Sequence, residues 1–215
     1  MDLMWVKTNS FIKWIFPKYI WDIPNNEKKI YLTFDDGPIP EVTEWILDLL
    51  KKEEIKATFF CIGDNIKKNP EVFKKIINDG HSIGNHTFNH LKGWNFSTEE
   101  YLENTILCEE IINSTLENKK RNSKLFRPPY GKIKPSQSRK LRKLGYTIIM
   151  WDVLSVDYDK EISPEQCLEN IINNTVSGSI IVCHDSIKAY KNLEYALPKA
   201  IKYLKNKGFV FERID

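Results

Sequence analysis

No apolar run in this 215-residue chain approaches the length of a bilayer span, and the mean hydropathy is −0.43. A multi-span membrane protein is excluded on those grounds. Cysteine is sparse. Cys61, Cys108, Cys167 and Cys183 are the only four, and no two are spaced as C-x-x-C. That argues against a disulfide framework or a zinc knuckle and for reduced thiols in a core. Charge of one sign is also lacking, with 32 Lys and Arg against 29 Asp and Glu. Lysines and acids alternate along the chain, and no basic stripe is interleaved with aromatics, so no nucleic-acid partner is expected. No Pro/Gly/Ser linker and no repeat divides the sequence. What is present, 41% hydrophobic and 28% charged residues, is the balance of a globular domain able to bury a core.

The first 26 residues read as an extension packed on a domain spanning 27–215. Trp5, Phe11, Trp14, Phe16, Tyr19 and Trp21 make the extension aromatic, while Lys7, Lys13 and Lys18 interrupt it and Pro17 would break a helix. It has no continuous signal-peptide core and no small-residue cleavage site. A cytoplasmic chain is therefore expected, although a chain that had already lost a leader would look the same. An interfacial membrane contact is the alternative for these aromatics.

From residue 29 onward, short β-rich runs alternate with helical segments. Strands are predicted at Lys29–Phe34, Ala57–Ile62, His81–Asn85, Leu125–Arg127, Thr147–Trp151, Ser179–Cys183 and Phe209–Phe211. Helices are predicted at Glu41–Lys52, Pro70–Asp79, Ser97 to about Asn118, Ser136–Leu144, from Pro164 onward, and Tyr195–Asn206. Ser97 with Glu100 has the spacing of a capping box, and Ser163 precedes a Pro at the first helical position. Seven strands alternating with helices imply a parallel sheet in an α/β fold, either a barrel or an open doubly wound sheet.

The polar residues that stand out follow strands. Parallel strands send their carboxyl ends to one face, where loops build sites. Asp35 and Asp36 end the first strand. Successive strand side chains point to opposite sides, so the two acids should serve different partners; an ordinary acidic turn is the plain alternative. His86 and His90 are four apart in a short loop, a spacing that can ligate one metal but that also arises by chance on surface helices. Together with Asp36 they would give three ligands and leave room for water and substrate. Arg127-Pro128-Pro129-Tyr130 is a stiff loop headed by an arginine able to hold a carboxylate, or else a proline-rich turn with a solvated arginine. His184 closes an apolar strand, placed for proton transfer or as a structural histidine. Asp185 beside it reads as a helix cap or a surface charge, and His81 as structural.

Taken in order, these pieces resemble the polysaccharide deacetylase family, the NodB-homology or carbohydrate esterase family 4 proteins. Thr33-Phe34-Asp35-Asp36-Gly37-Pro38, His86-Thr87-x-x-His90 and Arg127-Pro128-Pro129-Tyr130 match the first three family motifs. Asp157-Tyr158 stands where the fourth usually has Asp-Trp, and Val182-Cys183-His184 where the fifth usually has Leu-x-His. The resemblance implies a deformed (β/α)7 barrel in a single domain, with a divalent metal, most often Zn2+ and sometimes Co2+ or another transition ion. It implies Asp36, His86 and His90 as metal ligands, Asp35 as general base, Arg127 as its positioner, and the Tyr130 N–H as an oxyanion donor. It implies His184 as general acid oriented by Asp157, Thr87 as a brace for the metal loop, and Pro129, Tyr158 and Val182 along the substrate pocket. Tyr158 and Val182 replace larger family residues, so a slightly wider acyl pocket is expected. The activity implied is hydrolysis of the N-acetyl amide of an N-acetylated sugar, such as an N-acetylglucosamine-containing glycan or oligosaccharide, with no obligate protein partner. A deacylase or deformylase of a lipid-linked sugar precursor is the alternative within hydrolysis, and an inactive glycan-binding module the alternative outside it. The absence of a visible leader favours a cytoplasmic precursor over mature cell wall.

Overall fold

Every residue of β1 (Lys29–Asp35) after Lys29 is buried, and a strand with no solvent face must be covered on both sides. In the computed structural model, which describes residues 5–116, 121 and 123–215, β1 lies inside a sheet of parallel strands. β2 (Thr58–Cys61), β3 (Ser82–Asn85), β4 (Lys124–Phe126) and β5 (Tyr146–Ile148) follow on one side. β7 (Ile180–His184) and then β6 (Val153–Leu154) lie on the other, and β8 (Val210–Glu212) pairs with the first half of β1. The sheet curls into a half-barrel, the deformed (β/α)7 architecture, in one α/β domain.

Eight α-helices accompany these strands among the described residues: α1 (Ser10–Ile15), α2 (Val42–Lys52), α3 (Gly63–Lys68), α4 (Pro70–Asn78), α5 (Thr98–Thr115), α6 (Pro135–Lys143), α7 (Pro164–Asn174) and α8 (Ile187–Asn206). Their ends follow local chemistry. The Ser97 hydroxyl accepts from Glu100 N–H and the Glu100 carboxylate accepts from Ser97 N–H, and Ser163 with Gln166 does the same for α7. Such a cap contributes about 1 kcal/mol.

The two-residue period of β1 sorts its side chains. Ile30, Leu32 and Phe34 join the main core with Ile46, Leu50, Leu197 and Ile201 from the covering helices. Tyr31 packs instead with Phe60, Leu125, Ile149 and Ile180, and Thr33 and Asp35 share its side of the strand. The sequence therefore places a threonine and a carboxylate on the opposite face from the main core.

Several expected boundaries shift. An eighth strand, β6, is only two residues long and carries no readable alternation. The fifth strand ends at Ile148 rather than Trp151, because Met150 N–H donates to Ile20 O in the N-terminal segment. α8 begins at Ile187, eight residues before the expected start. Its polar first turns hide a buried stripe that begins at Ala189 and Leu193. The expected end of the long helix near Asn118 lies outside the described residues.

Candidate active site

Asp35 ends β1 with its side chain on the face away from the main core. There Arg127 reaches it from the end of β4. The guanidinium is fully buried and donates through one terminal nitrogen to Asp35 Oδ1 at 2.7 Å and to Thr33 Oγ1 at 2.8 Å. The other terminal nitrogen and Nε donate to Met150 O and Ile149 O at 2.9 and 3.4 Å. Its carbon lies 4.1 Å from the centre of the Phe60 ring. Asp35 is thus fixed against a cation that cannot swing away.

Asp36 turns the other way, as two successive residues at a strand end should. Its φ is 88°, a conformation that costs a non-glycine residue energy and must be held by its surroundings. Asp36 O accepts from the Asn65 amide of α3 at 2.7 Å. The carboxylate faces His86 and His90, with Oδ1 at 3.8 and 3.2 Å from their Nε2 atoms. One donor atom from each of the three lies within 4.8 Å of the others. His86 Nδ1 sits 2.8 Å from Arg127 O. A carbonyl only accepts, so the proton is on Nδ1 and the Nε2 lone pair faces the carboxylates. Burial, the largest influence, pushes the His86 imidazole down to about 4, so it is neutral at physiological pH. Burial raises the Asp36 carboxyl, but His90, His184 and His86 outweigh it and hold the group below its ordinary range.

These donors fit a divalent metal. Asp36 Oδ1 is buried and makes no hydrogen bond among the described residues, although His90 Nε2 is 3.2 Å away. A carboxylate oxygen and imidazole nitrogens converging without hydrogen-bonding one another is what a shared cation would resolve.

The loop carrying the histidines is strained and braced. Thr87 and His90 both have positive φ. Thr87 Oγ1 accepts from Leu91 N–H at 3.0 Å. Asn104 of α5 accepts from Phe88 and Asn89 N–H, and Gly63 and Asp64 at the start of α3 donate to Thr87 O and Phe88 O. α3 thus ties the Asp36 turn to the histidine loop.

The second proton-handling pair stands on the neighbouring strand. Asp35 and His184 are direct partners in the β1–β7 register. His184 Nδ1 is 2.7 Å from Asp157 Oδ1, and its backbone N–H donates to Asp157 Oδ2 at 2.7 Å. Burial, the largest single influence, disfavours the imidazolium, but the Asp157 carboxylate together with Asp36 and Asp35 outweighs it and pushes the ring up to about 9. Tyr158 meets the His184 ring edge-on at 4.7 Å. A cavity of about 510 Å³ joins Asp35, Asp36, His86, His90 and His184, with Tyr130, Trp151, Leu154, Tyr158 and Val182 in its wall. Tyr130 is 59% exposed, has φ 58° and lies against the His90 ring at 4.6 Å with the two planes tilted by 53°. Pro129 is buried and is not among the described residues that line the cavity.

Asp185 departs from its expected role. It is neither a surface charge nor the cap of α8, whose N-cap is Ser186. It is fully buried, accepts from Gly37 N–H at 2.8 Å and from the Thr43 hydroxyl at 2.7 Å, and donates its own N–H to Asp35 O. Burial pushes its carboxyl up to about 8. A Cβ on Gly37 would lie 1.8 Å from its Oδ2, which explains why glycine follows the two acids. That approach joins positions far apart in the chain, so no local sequence signal pointed to Asp185. Trp151 and Asn104 carried no such signal.

A parallel half-barrel that gathers a carboxylate, a histidine and a three-donor cluster at its strand ends falls in the class of α/β-barrel proteins that carry their sites at the carboxyl ends of the strands. The comparisons narrow the class. The sequence profile described as polysaccharide deacetylase matches residues 22–149. A peptidoglycan-N-acetylglucosamine deacetylase of Bacillus cereus is 38% identical over 196 residues, covering 91% of this chain and 90% of that one. A solved peptidoglycan N-acetylglucosamine deacetylase, in complex with 4-naphthalen-1-yl-N-oxidanyl-benzamide, superposes with a TM-score of 0.86 at 36% identity over 94% of both chains. A family 4 pseudoenzyme from Bacillus anthracis superposes at 0.80 with 27% identity, over 91% of this chain and 66% of that one. The chain belongs to the polysaccharide deacetylase family, carbohydrate esterase family 4.

Proposed function

We propose that this chain is a metal-dependent N-deacetylase that hydrolyses the N-acetyl amide of N-acetylglucosamine residues in a peptidoglycan-type glycan. The observation that carries the reading is the placement of two proton-handling pairs, Arg127–Asp35 and Asp157–His184, on adjacent strands beside one three-donor cluster. The names of the relatives favour peptidoglycan as the substrate class. The ligand in the solved relative is a hydroxamic acid, a chelating group that suits a metal centre.

Asp36, His86 and His90 would hold the metal, with Zn2+ first and Co2+ second as candidates for a site of two imidazoles and a carboxylate. When bound, the metal polarises the amide carbonyl and lowers the pKa of water. The chain's own residues do the rest. Asp35, held by Arg127, accepts a proton from water as the new C–O bond forms. The Tyr130 N–H donates to the developing oxyanion. His184, kept protonated by Asp157, gives its proton to the amide nitrogen as the C–N bond breaks, releasing acetate and a free amine. Leu154, Val182 and Tyr158 supply an apolar wall for the acyl methyl.

Acetate release from N-acetylglucosamine oligomers and peptidoglycan by zinc-loaded protein tests the reading, beside an Asp35→Asn control. Release that disappears in the control is expected. Stoichiometric metal with no release from any glycan would overturn it in favour of another amide substrate. Glycan binding with no turnover would favour an inactive module, the role illustrated by the Bacillus anthracis relative; in that case Asp35→Asn would change nothing.

A further inference from the structure

β5 and β6 are the two ends of the strand order, and the chain between them, Ile149–Asp152, meets the sheet at its two ends, Ile149 N–H donating to Phe126 O and Asp152 N–H to Ile180 O, with no strand paired along it among the described residues. The N-terminal segment takes that place. It bridges Val153 at Lys7, Ile149 at Ile20 and Ser179 at Asp22. Leu154 N–H donates to Val6 O, Thr8 N–H to Asp152 O and Met150 N–H to Ile20 O, at 2.7–2.8 Å. The Thr8 hydroxyl donates to Trp151 O at 2.8 Å. Asp152 is 1% exposed, and its carboxylate takes Lys7 on one oxygen, Lys13 on the other at 2.7 Å, and the Ser179 hydroxyl at 2.6 Å. Both cations come from the N-terminal segment, so this buried charge is paired only when the segment is docked.

The same linker reaches the site. Two of the four acceptors of the buried Arg127 guanidinium are Ile149 O and Met150 O, and Arg127 fixes Asp35. Trp151 lines the cavity and presses on the Tyr130 loop. A Cβ on Gly131, which sits at φ +64°, would lie 2.7 Å from the Trp151 ring.

We propose that the N-terminal segment is a working part of the site: its Lys7 and Lys13 clasp on Asp152 holds the Ile149–Asp152 linker in register, and through it positions Arg127, Asp35 and Trp151. Lys7, Lys13 and Asp152 are positioning residues, since none of them touches the cavity. The catalytic side of the claim rests on Asp35 being the base, as proposed above. The metal donors hang from the loops after β1 and β3, and no hydrogen bond or ion pair joins them to the segment among the described residues; His86 is held by the Arg127 backbone carbonyl rather than by its guanidinium, so the clasp acts on turnover more than on metal binding.

The test uses the full chain with Lys7→Met, Lys13→Met and Asp152→Asn together, a triple change that removes the buried Asp152 charge along with its cations and leaves only the part-exposed Asp22 without Lys13. Hydrogen exchange by NMR is the readout that needs no activity. Protection of the Arg127 side-chain N–H and the Met150 amide is expected to fall at least tenfold, while the Thr87 and Leu91 amides are unchanged. On N-acetylglucosamine oligomers, kcat is expected to fall at least tenfold with KM and zinc affinity within twofold. Lys7→Arg with Lys13→Arg is expected to restore both readouts. Should the triple variant not fold, Thr8→Val gives the same pattern at smaller amplitude. Unchanged Arg127 protection and kcat would overturn the proposal. So would parallel loss of kcat, zinc binding and all protection, which marks plain destabilisation. A wild type that shows the exchange coupling but releases no acetate would overturn the deacetylase reading and the catalytic side of the claim, and leave the clasp standing.

Discussion

His81 and His86 stand at opposite ends of the same four-residue strand, β3. Both are buried, and burial pushes both imidazoles down to about 4. Their partners differ. His81, before the strand, accepts the Ala57 N–H on Nδ1 at 3.1 Å and meets the Phe59 ring edge-on. It lines a smaller cavity with Arg213 and Asp215. His86, after the strand, gives its Nδ1 proton to Arg127 O and turns Nε2 toward two carboxylates. Residue type, burial and basicity are the same, yet one histidine is an acceptor within the fold and the other presents a ring nitrogen to Asp35 and Asp36. Strand polarity makes the difference, because only the carboxyl ends carry the converging loops.

The sharpest way to break the comparison is to exchange the losses. His86→Ala is expected to abolish zinc binding and acetate release. His81→Ala is expected to cost about 1–3 kcal/mol of stability, the price of a buried N–H left without its acceptor, with zinc affinity and kcat retained. Denaturant unfolding and metal titration of both variants check this.

Next in size is Arg127→Met. It leaves the buried Asp35 carboxylate unpaired, which costs about 3–5 kcal/mol, and removes the constraint on the base. Denaturant unfolding beside kcat on N-acetylglucosamine oligomers measures both losses.

Dependence on pH separates the low histidines from His184. His81 and His86 lie below the ordinary 6.5, so the unfolded chain binds more protons between about 6.5 and 4. In the metal-free protein, stability falls as pH drops through that window. His81→Gln is expected to flatten part of the slope. His184 has the opposite sign. Raised to about 9, its contribution is complete below 6.5 and is lost as pH rises through about 9. The rate is expected to fall on the same alkaline side, and Asp157→Asn to move that limb down. Thermal melts and rate profiles across pH read both effects.

Asp185 gives the smallest effect. Asp185→Asn keeps an acceptor for Gly37 N–H, and Thr43 can turn its hydroxyl to accept, so activity is expected within a few fold of wild type. Asp185→Ala removes both partners and is expected to cost about 1–3 kcal/mol, read by denaturant unfolding.

The sequence already placed these chemistries at strand ends, because apolar strands and capped helices announce themselves through local pattern. Asp35, Asp36, His86, His90, Arg127, Asp157 and His184 were legible as residues that follow strands, and the family resemblance supplied their roles. What stayed hidden is held by contacts distant in sequence. Asp185 looks like any acid before a helix until Gly37, 148 positions away, is brought against it. α3 lacks a full period of apolar residues, yet its first amides and Asn65 join the two loops of the donor cluster. Trp151 looked like the end of a strand, and only the docking of the N-terminal segment shows why the ladder stops before it.

If the carboxyl-end cluster is a metal site, the amino-end histidine takes no part in it. Calorimetric titration of zinc into the wild type, His81→Gln and His86→Gln tests this directly. One ion is expected to bind the wild type and His81→Gln with similar affinity, and none to bind His86→Gln. Zinc bound equally by His86→Gln, or lost in a folded His81→Gln, would contradict it.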